Sequence, residues 1–170
     1  MIQDPKGIDA PIQDVQEIFI DELWADVSSS KKQFNGRVFG NLINESLTPE
    51  VHVSGTNDYK AVKFNDKLSV LSWFDVNDET ESFDAGQVVH NVGIFFAVNL
   101  KDLYPDLSHR AVEEAHGAVI KLLDKAEVKG IVTGAKAYGD FDIKNLKHPN
   151  MHPWHIFRID YTMKYSLLTC

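Results

Sequence analysis

Between Ile12 and Leu23 apolar residues recur every three or four positions, at Ile12, Val15, Ile18, Phe19 and Leu23, with Gln13, Asp14, Gln16, Glu17 and Asp21 in the gaps. That period lays one apolar stripe along a helix running to about Val27, with Asp9 placed to cap it and Pro11 in its first turn. The polar run Ser28 to Lys32 ends the pattern, and Gly36 and Gly40 bracket a short strand or turn at Arg37, Val38 and Phe39. From Pro49 the period falls to two. Strands are predicted at Val51 to Val53, Tyr59 to Phe64 and Leu68 to Val76, and the turn pair Asn65 and Asp66 makes the last two read as a hairpin. In the third strand Leu68, Val70, Phe74 and Val76 share one face, but Leu71 and Trp73 make the other face apolar too. Such a strand needs cover on both sides, from a central position in its sheet or from a neighbouring subunit.

The acidic stretch Asn77 to Gly86, with Phe83 its one large apolar residue, predicts an exposed loop. The longest strand follows over Gln87 to Lys101, with Val88, Val92, Ile94, Phe96, Val98 and Leu100 on one face and Phe95 and Ala97 on the other. A second helix, capped by Asp106 or Ser108, carries the stripe Val112, Ala115, Val119, Leu122, Leu123 and Ala126 and stops at Gly130. Residues Ile131 to Phe141 read as a strand interrupted by Gly134 and Gly139, and Asp142 to Trp154 as a loop. Phe157, Ile159, Tyr161, Met163, Tyr165 and Leu167 then alternate with polar residues as a half-buried strand. No repeat or linker divides the chain. The order predicts one α/β (α+β) domain over residues 1–170: a mainly antiparallel sheet with two helices packed on one face.

Charge narrows the function. Twenty-five acidic against 17 basic residues give a net charge of −8, which argues against a general nucleic-acid binder, since such proteins cluster Lys and Arg against phosphates. Neither a signal peptide nor a membrane span is predicted: the first residues hold Asp4, Pro5 and Gly7, and the longest apolar run, Val92 to Val98, is too short to cross a bilayer. The single cysteine, Cys170, is the last residue and offers no disulfide framework.

The constellation closest to chemistry is His148, His152 and His155, with Asp140 and Asp142 upstream, all of them ligand types for zinc or iron. Pro149 and Pro153 forbid a helix that would set two imidazoles side by side, so a His-rich exposed loop is the preferred reading over a metal-dependent enzyme. No Gly-x-Ser-x-Gly elbow or phosphate-binding loop is present; the segment GAKAYG, with Gly134 and Lys136, reads as a strand with small residues for packing. No catalytic residue, metal ligand or cofactor is therefore assigned. Trp24, Phe39, Trp73, Phe83, Phe95 and Trp154 stand at loop edges or on the mixed faces, and two readings are open for them: core filling, or contact across a subunit interface.

The first amphipathic helix, the segment YKAVKFNDKLSVLSWFDV, the strand-to-helix run VVHNVGIFFAVNLKDLYPDLSHRAVEEAHGAVIKLL and the closing HIFRIDYTMKYSL together resemble the tail terminator and tail completion proteins of tailed phages. The likeness is greatest to the ring or connector proteins of crAss-like and related phages. It covers most of the chain in the order of elements and carries no short motif. The resemblance implies a virion subunit without catalytic activity, made in the host bacterial cytoplasm. Such a subunit assembles with itself into a six-fold or twelve-fold ring, stacks on portal, neck or tail rings, and lets DNA pass without specific binding. Segments 28–48 and 142–154 are longer than that minimal domain needs and are expected to be loop insertions. A cytoplasmic adaptor that binds one partner through a strand edge is the other non-enzymatic alternative.

Overall fold

A computed structural model of the chain describes residues 1–56, 58–84, 87–107, 111–123, 127–142 and 152–166, with only the backbone of 77–84. Among the described residues three α-helices and seven strands follow one another as α1 (Asp9–Glu22), β1 (Lys32–Ile43), β2 (Ser46–His52), β3 (Tyr59–Ala61), β4 (Val70–Asp84), β5 (Gln87–Asn99), α2 (Leu100–Leu103), α3 (Val112–Leu122), β6 (Glu127–Thr133) and β7 (Trp154–Tyr165). The strands form one sheet in the order β3-β2-β1-β4-β5-β7-β6, antiparallel at every join except β1 with β4. The mixed α+β class and the mainly antiparallel sheet agree with the sequence pattern.

The first face of the sheet carries Phe74, Ile94, Phe96, Phe157 and Ile159, and both long helices bury their stripes on it, α1 through Ile12 and Phe19 and α3 through Ala115 and Val119. Phe19 packs between the rings of Phe74 and Phe96, at 6.2 and 5.7 Å. Gln16, buried on α1, donates from Nε2 to the carbonyl of Phe34 at 2.7 Å and so ties the helix to β1. β5 ends where Asn99 turns its side chain onto the backbone N–H groups of Lys101 and Asp102 and opens α2.

The second face holds a separate core of Leu71, Trp73, Phe95, Ala97 and Ile156. Its cover comes from the same chain. Residues Gly134–Tyr138 form a 3-10 turn that sets Ala137 and Tyr138, with Phe141 just beyond, over Trp73 and Phe95; Val38, Val51, Val62 and Leu68 complete the layer. Trp73 stacks on Phe95 at 3.7 Å, and Tyr138 lies 4.8 Å from Phe95.

Several local expectations change. The first helix stops at Glu22, because Trp24 adopts a left-handed φ of 50° and Val27 closes a turn on it; Asp9 makes no side-chain cap bond. Segment 28–48 is a 3-10 turn at Ser29–Lys31, strand β1 and the start of β2 rather than a loop, and Asn44 and Glu45, with φ of 49° and 64°, make the two-residue turn between the strands; of segment 142–154, Trp154 begins β7 and positions 143–151 lie outside the described residues. β3 pairs with β2 and not with β4, so the expected hairpin around Asn65 and Asp66 is absent; β4 pairs with β1 and β5. The acidic segment expected as a loop continues β4 to Asp84, paired with β5 through Asp84 and Gln87. Gly130 lies inside β6, and GAKAYG is the 3-10 turn. Ala111 holds the position before α3, without a side-chain bond, in place of Asp106; Ser108 lies outside the described residues.

Trp73→Ala removes the largest ring of the second core, and an unfolding cost of about 3–5 kcal/mol is expected. Urea denaturation should return the same loss in dilute and concentrated protein, since the ring is covered by its own chain.

Candidate assembly surface and the histidine pair

β1 changes partners midway. Lys32 to Phe34 pair in register with β4, the register then slips, and Arg37 opposite Phe74 is the last pair recorded. At the slip Asn35 turns its side-chain amide onto the carbonyl of Ser72 at 2.9 Å, replacing a ladder bond. A Cβ on Gly36 would make van der Waals contact with Gln16 Oε1, at 3.4 Å. From Val38 to Ile43 the strand is paired with β2, and among the described residues its other edge has no strand partner. Along that edge lie Leu42, which is 69% exposed, and Ile43. Arg37 covers the ring of Phe39 at 4.7 Å, and Tyr59 meets it edge-on at 5.5 Å. Behind the edge the arm is anchored: Ser46 donates to Asp142 Oδ2 at 2.7 Å, and the Asp142 N–H donates to the carbonyl of Leu47 at 2.9 Å.

Two concavities flank this framework. A polar cleft of about 320 Å³ between α1, β1 and β2 is lined by Asp9, Gln16, Arg37, His52 and Lys60 among others. Burial raises the Asp9 carboxyl above its usual range, and the charges of Arg37 and His52 pull it partly back. On the opposite side a mainly apolar groove of about 890 Å³ runs between α1 and α3 over β7, floored by Tyr161 and Met163, walled by Val15, Ile18 and Leu122, and rimmed by Asp14, Glu127 and Lys164.

The six aromatics expected at subunit contacts part company. Trp73 and Phe95 are each 1% exposed and sit in the second core, so the interface reading is corrected for both: the 3-10 turn occupies the face a neighbour would have met. Trp24 is half-buried, donating from Nε1 to the Tyr104 hydroxyl at 2.9 Å, and Trp154 packs edge-on to Phe64 at 4.7 Å. Phe39 is partly exposed on β1 with its ring turned onto Tyr59 of β3, away from the open edge, and the side chain of Phe83 lies outside the described residues.

The histidines regroup as well. His148 lies outside the described residues, and His152 is exposed. His155, on β7, meets His116, on α3, with the two Nε2 atoms 2.9 Å apart. Both rings lean on Phe157, at 4.6 Å for His116 and 5.3 Å for His155. Asp140 is exposed and Asp142 is engaged by Ser46; among the described residues no three His, Cys, Asp or Glu side chains converge as a metal site. The pairing of positions 116 and 155 has no sequence signal, because it depends on how α3 crosses β7. Burial lowers the pKa of His116, and the nearby charge of Glu113 opposes the shift.

On the second face, beyond the apolar layer, Arg158 crosses Gly93 to grip Asp160 with two nitrogens, at 2.7 and 3.3 Å. Any Cβ at Gly93 would come within 2.7 Å of Arg158 Cδ, so only glycine leaves the path open. Comparison with protein-family models, curated proteins and solved structures gives no match.

Two expectations follow from these contacts. Gly93→Val displaces Arg158 and should cost about 1–3 kcal/mol in chemical denaturation, an overpacking loss. His116 binds its proton less readily folded than unfolded, so the unfolded state takes up more protons as pH falls through the ordinary histidine value near 6.5 and stability drops. Melting curves between pH 7.5 and 5 should show that drop in the wild type and a shallower one in His116→Gln.

Proposed function

We propose that the chain is a structural subunit of an oligomeric ring in the head-to-tail connector or tail of a tailed phage, stacked between portal or neck and tail around the DNA channel. The observation that carries the assembly part of this reading is the open edge of β1, where Leu42 and Ile43 are exposed beside a backbone that has no strand partner on that side among the described residues. A strand edge bearing apolar side chains is a template for another chain, and proteins that stay monomeric blunt such edges with charge or proline. Between Val38 and Ile43 there is neither a charged residue nor a proline. The phage part rests on the resemblance in element order: an initial helix, a long strand running into a helix, and an alternating closing strand.

The apolar groove between α1 and α3 gives the subunit a second, different surface. Two unlike patches on one chain suit a head-to-tail contact, which closes into a ring when the rotation between subunits divides a full turn. The net charge of −8 suits a channel wall, since acidic side chains repel the phosphates of a passing genome.

Mass photometry and electron microscopy of the purified protein, at high concentration and low salt, provide the test. Closed rings are expected for the wild type, and monomers with an unchanged circular dichroism spectrum for Leu42→Asp combined with Ile43→Asp. A wild-type protein that remains monomeric alone and with candidate neck or tail partners would overturn the reading, and discrete one-to-one complexes would favour an adaptor instead.

A further inference from the structure

His116 and His155 are 39 positions apart in sequence, yet their Nε2 atoms face each other at 2.9 Å across the junction of α3 and β7. We infer that this pair is a binding site for one late-transition divalent cation of the zinc, nickel or copper type, held by the two Nε2 atoms with water completing the coordination.

Ligand chemistry and geometry both support it. Neutral imidazole is the common side-chain ligand for these ions, at about 2.0–2.1 Å from nitrogen to metal. Two such nitrogens on one tetrahedral ion lie about 3.3 Å apart. The pair therefore has to open by only a few tenths of an ångström, within reach of small side-chain rotations. Both histidines stand on regular elements. Ala115, adjacent to His116, and Val119 fix α3 in the first core; Ile156, adjacent to His155, and Phe157, one residue further on, are fully buried in β7. The Phe157 ring supports both imidazoles, so little freedom remains to be lost when a metal binds.

Protonation points the same way. A hydrogen bond between two Nε2 atoms needs one N–H and one lone pair, so at least one ring is neutral in this geometry. The burial that disfavours a proton on His116 favours the form that ligates. Glu113, one helical turn before His116, adds negative charge near the ion. No third His, Cys, Asp or Glu joins the pair among the described residues, which makes this an open two-histidine site rather than a closed structural one. The inference is independent of the ring reading and holds for the folded chain in any assembly.

The experiment uses full-length protein without an affinity tag, dialysed against Zn²⁺ and assayed for bound metal, with Cu²⁺ for electron paramagnetic resonance. One equivalent per chain is expected for the wild type and for His152→Ala. His116→Ala and His155→Ala should each weaken uptake at least about tenfold. Bound Cu²⁺ should show coupling to two imidazole nitrogens in the wild type and to one in either single variant. Because α3 packs beside the pair, His116→Gln is compared as well, and circular dichroism in the presence of chelator separates loss of a ligand from loss of fold. Absence of uptake by the wild type would overturn the inference. So would unchanged uptake by a natively folded His116→Ala, His155→Ala double variant, or an effect of His152→Ala as large as theirs.

Discussion

β4 and β5 lie side by side in the middle of the sheet and are apolar on both faces, with Phe74, Ile94 and Phe96 on one and Trp73 and Phe95 on the other. Leaving either face wet would expose several aromatic rings, each burying 150–250 Å² in a typical core. The chain answers with two unlike covers. Helices α1 and α3 supply the first through stripes of helical period. The second is assembled from short pieces: the 3-10 turn Gly134–Tyr138, Phe141, and the inner sides of β1, β2 and the segment around Val62. Most of the remaining architecture can be traced to this demand. After β6, residues 134–142 cross the second face, and the β1–β2 arm is held there by the bonds of Asp142 to Ser46 and Leu47.

This two-sided demand also decides what the sequence made legible. The helical stripes of α1 and α3 and the alternation of β5 and β7 obey one period over eight or more residues, so their identity and inward faces are readable locally. The double-faced character of β4 was equally readable, and it left two explanations, a central position or a neighbouring subunit. Burial of Trp73 and Phe95 under the chain's own 3-10 turn selects the first. The turn itself escapes a periodicity reading because GAKAYG packs only two side chains, Ala137 and Tyr138, and its glycines imitate a broken strand. Similarly, Asn44 and Glu45 bend the chain into a hairpin without the Asn-Gly pair that marks such turns, since Glu45 takes up a left-handed φ that glycine would normally supply. The acidic character of Asn77 to Gly86 predicts a loop, but strand pairing depends on the backbone: β4 runs to Asp84 and, after an irregularity between Asn77 and Ser82, pairs with β5 again, while positions 85 and 86 lie outside the described residues.

The histidine pair illustrates a limit of another kind. His155 was identifiable as a potential ligand through its neighbours in sequence, His148 and His152, yet its partner in space is His116. That contact follows from α3 crossing β7, a tertiary relation that spacing along the chain does not encode. The element that supplies His116 is readable as a helix from its period, though not in its cap. Its stripe fixes which face of the helix is buried, and His116 stands next to Ala115 at the border of that face, half in and half out. A residue at such a border can contact the sheet without joining the apolar core, and this position partly shields it from water while leaving it within reach of solutes.

The open edge of β1 has its origin in the slip at Asn35 and Gly36. If β1 stayed in register with β4 beyond Arg37, residues 38–43 would be shielded by the central sheet and Leu42 and Ile43 would have no free backbone beside them. Instead Asn35 satisfies the carbonyl of Ser72 with its side chain at the slip, and β1 leaves β4 after the Arg37–Phe74 pair. Gln16 satisfies the carbonyl of Phe34 on the other side of the same slip. Two side-chain amides thus stabilise a bulge that would otherwise strand buried carbonyls, and the bulge frees an apolar strand edge from the sheet. A local defect left without such compensation would leave two partly buried acceptors unpaired, whereas here both carbonyls accept a side-chain amide, as expected of a bulge that positions a surface for contact.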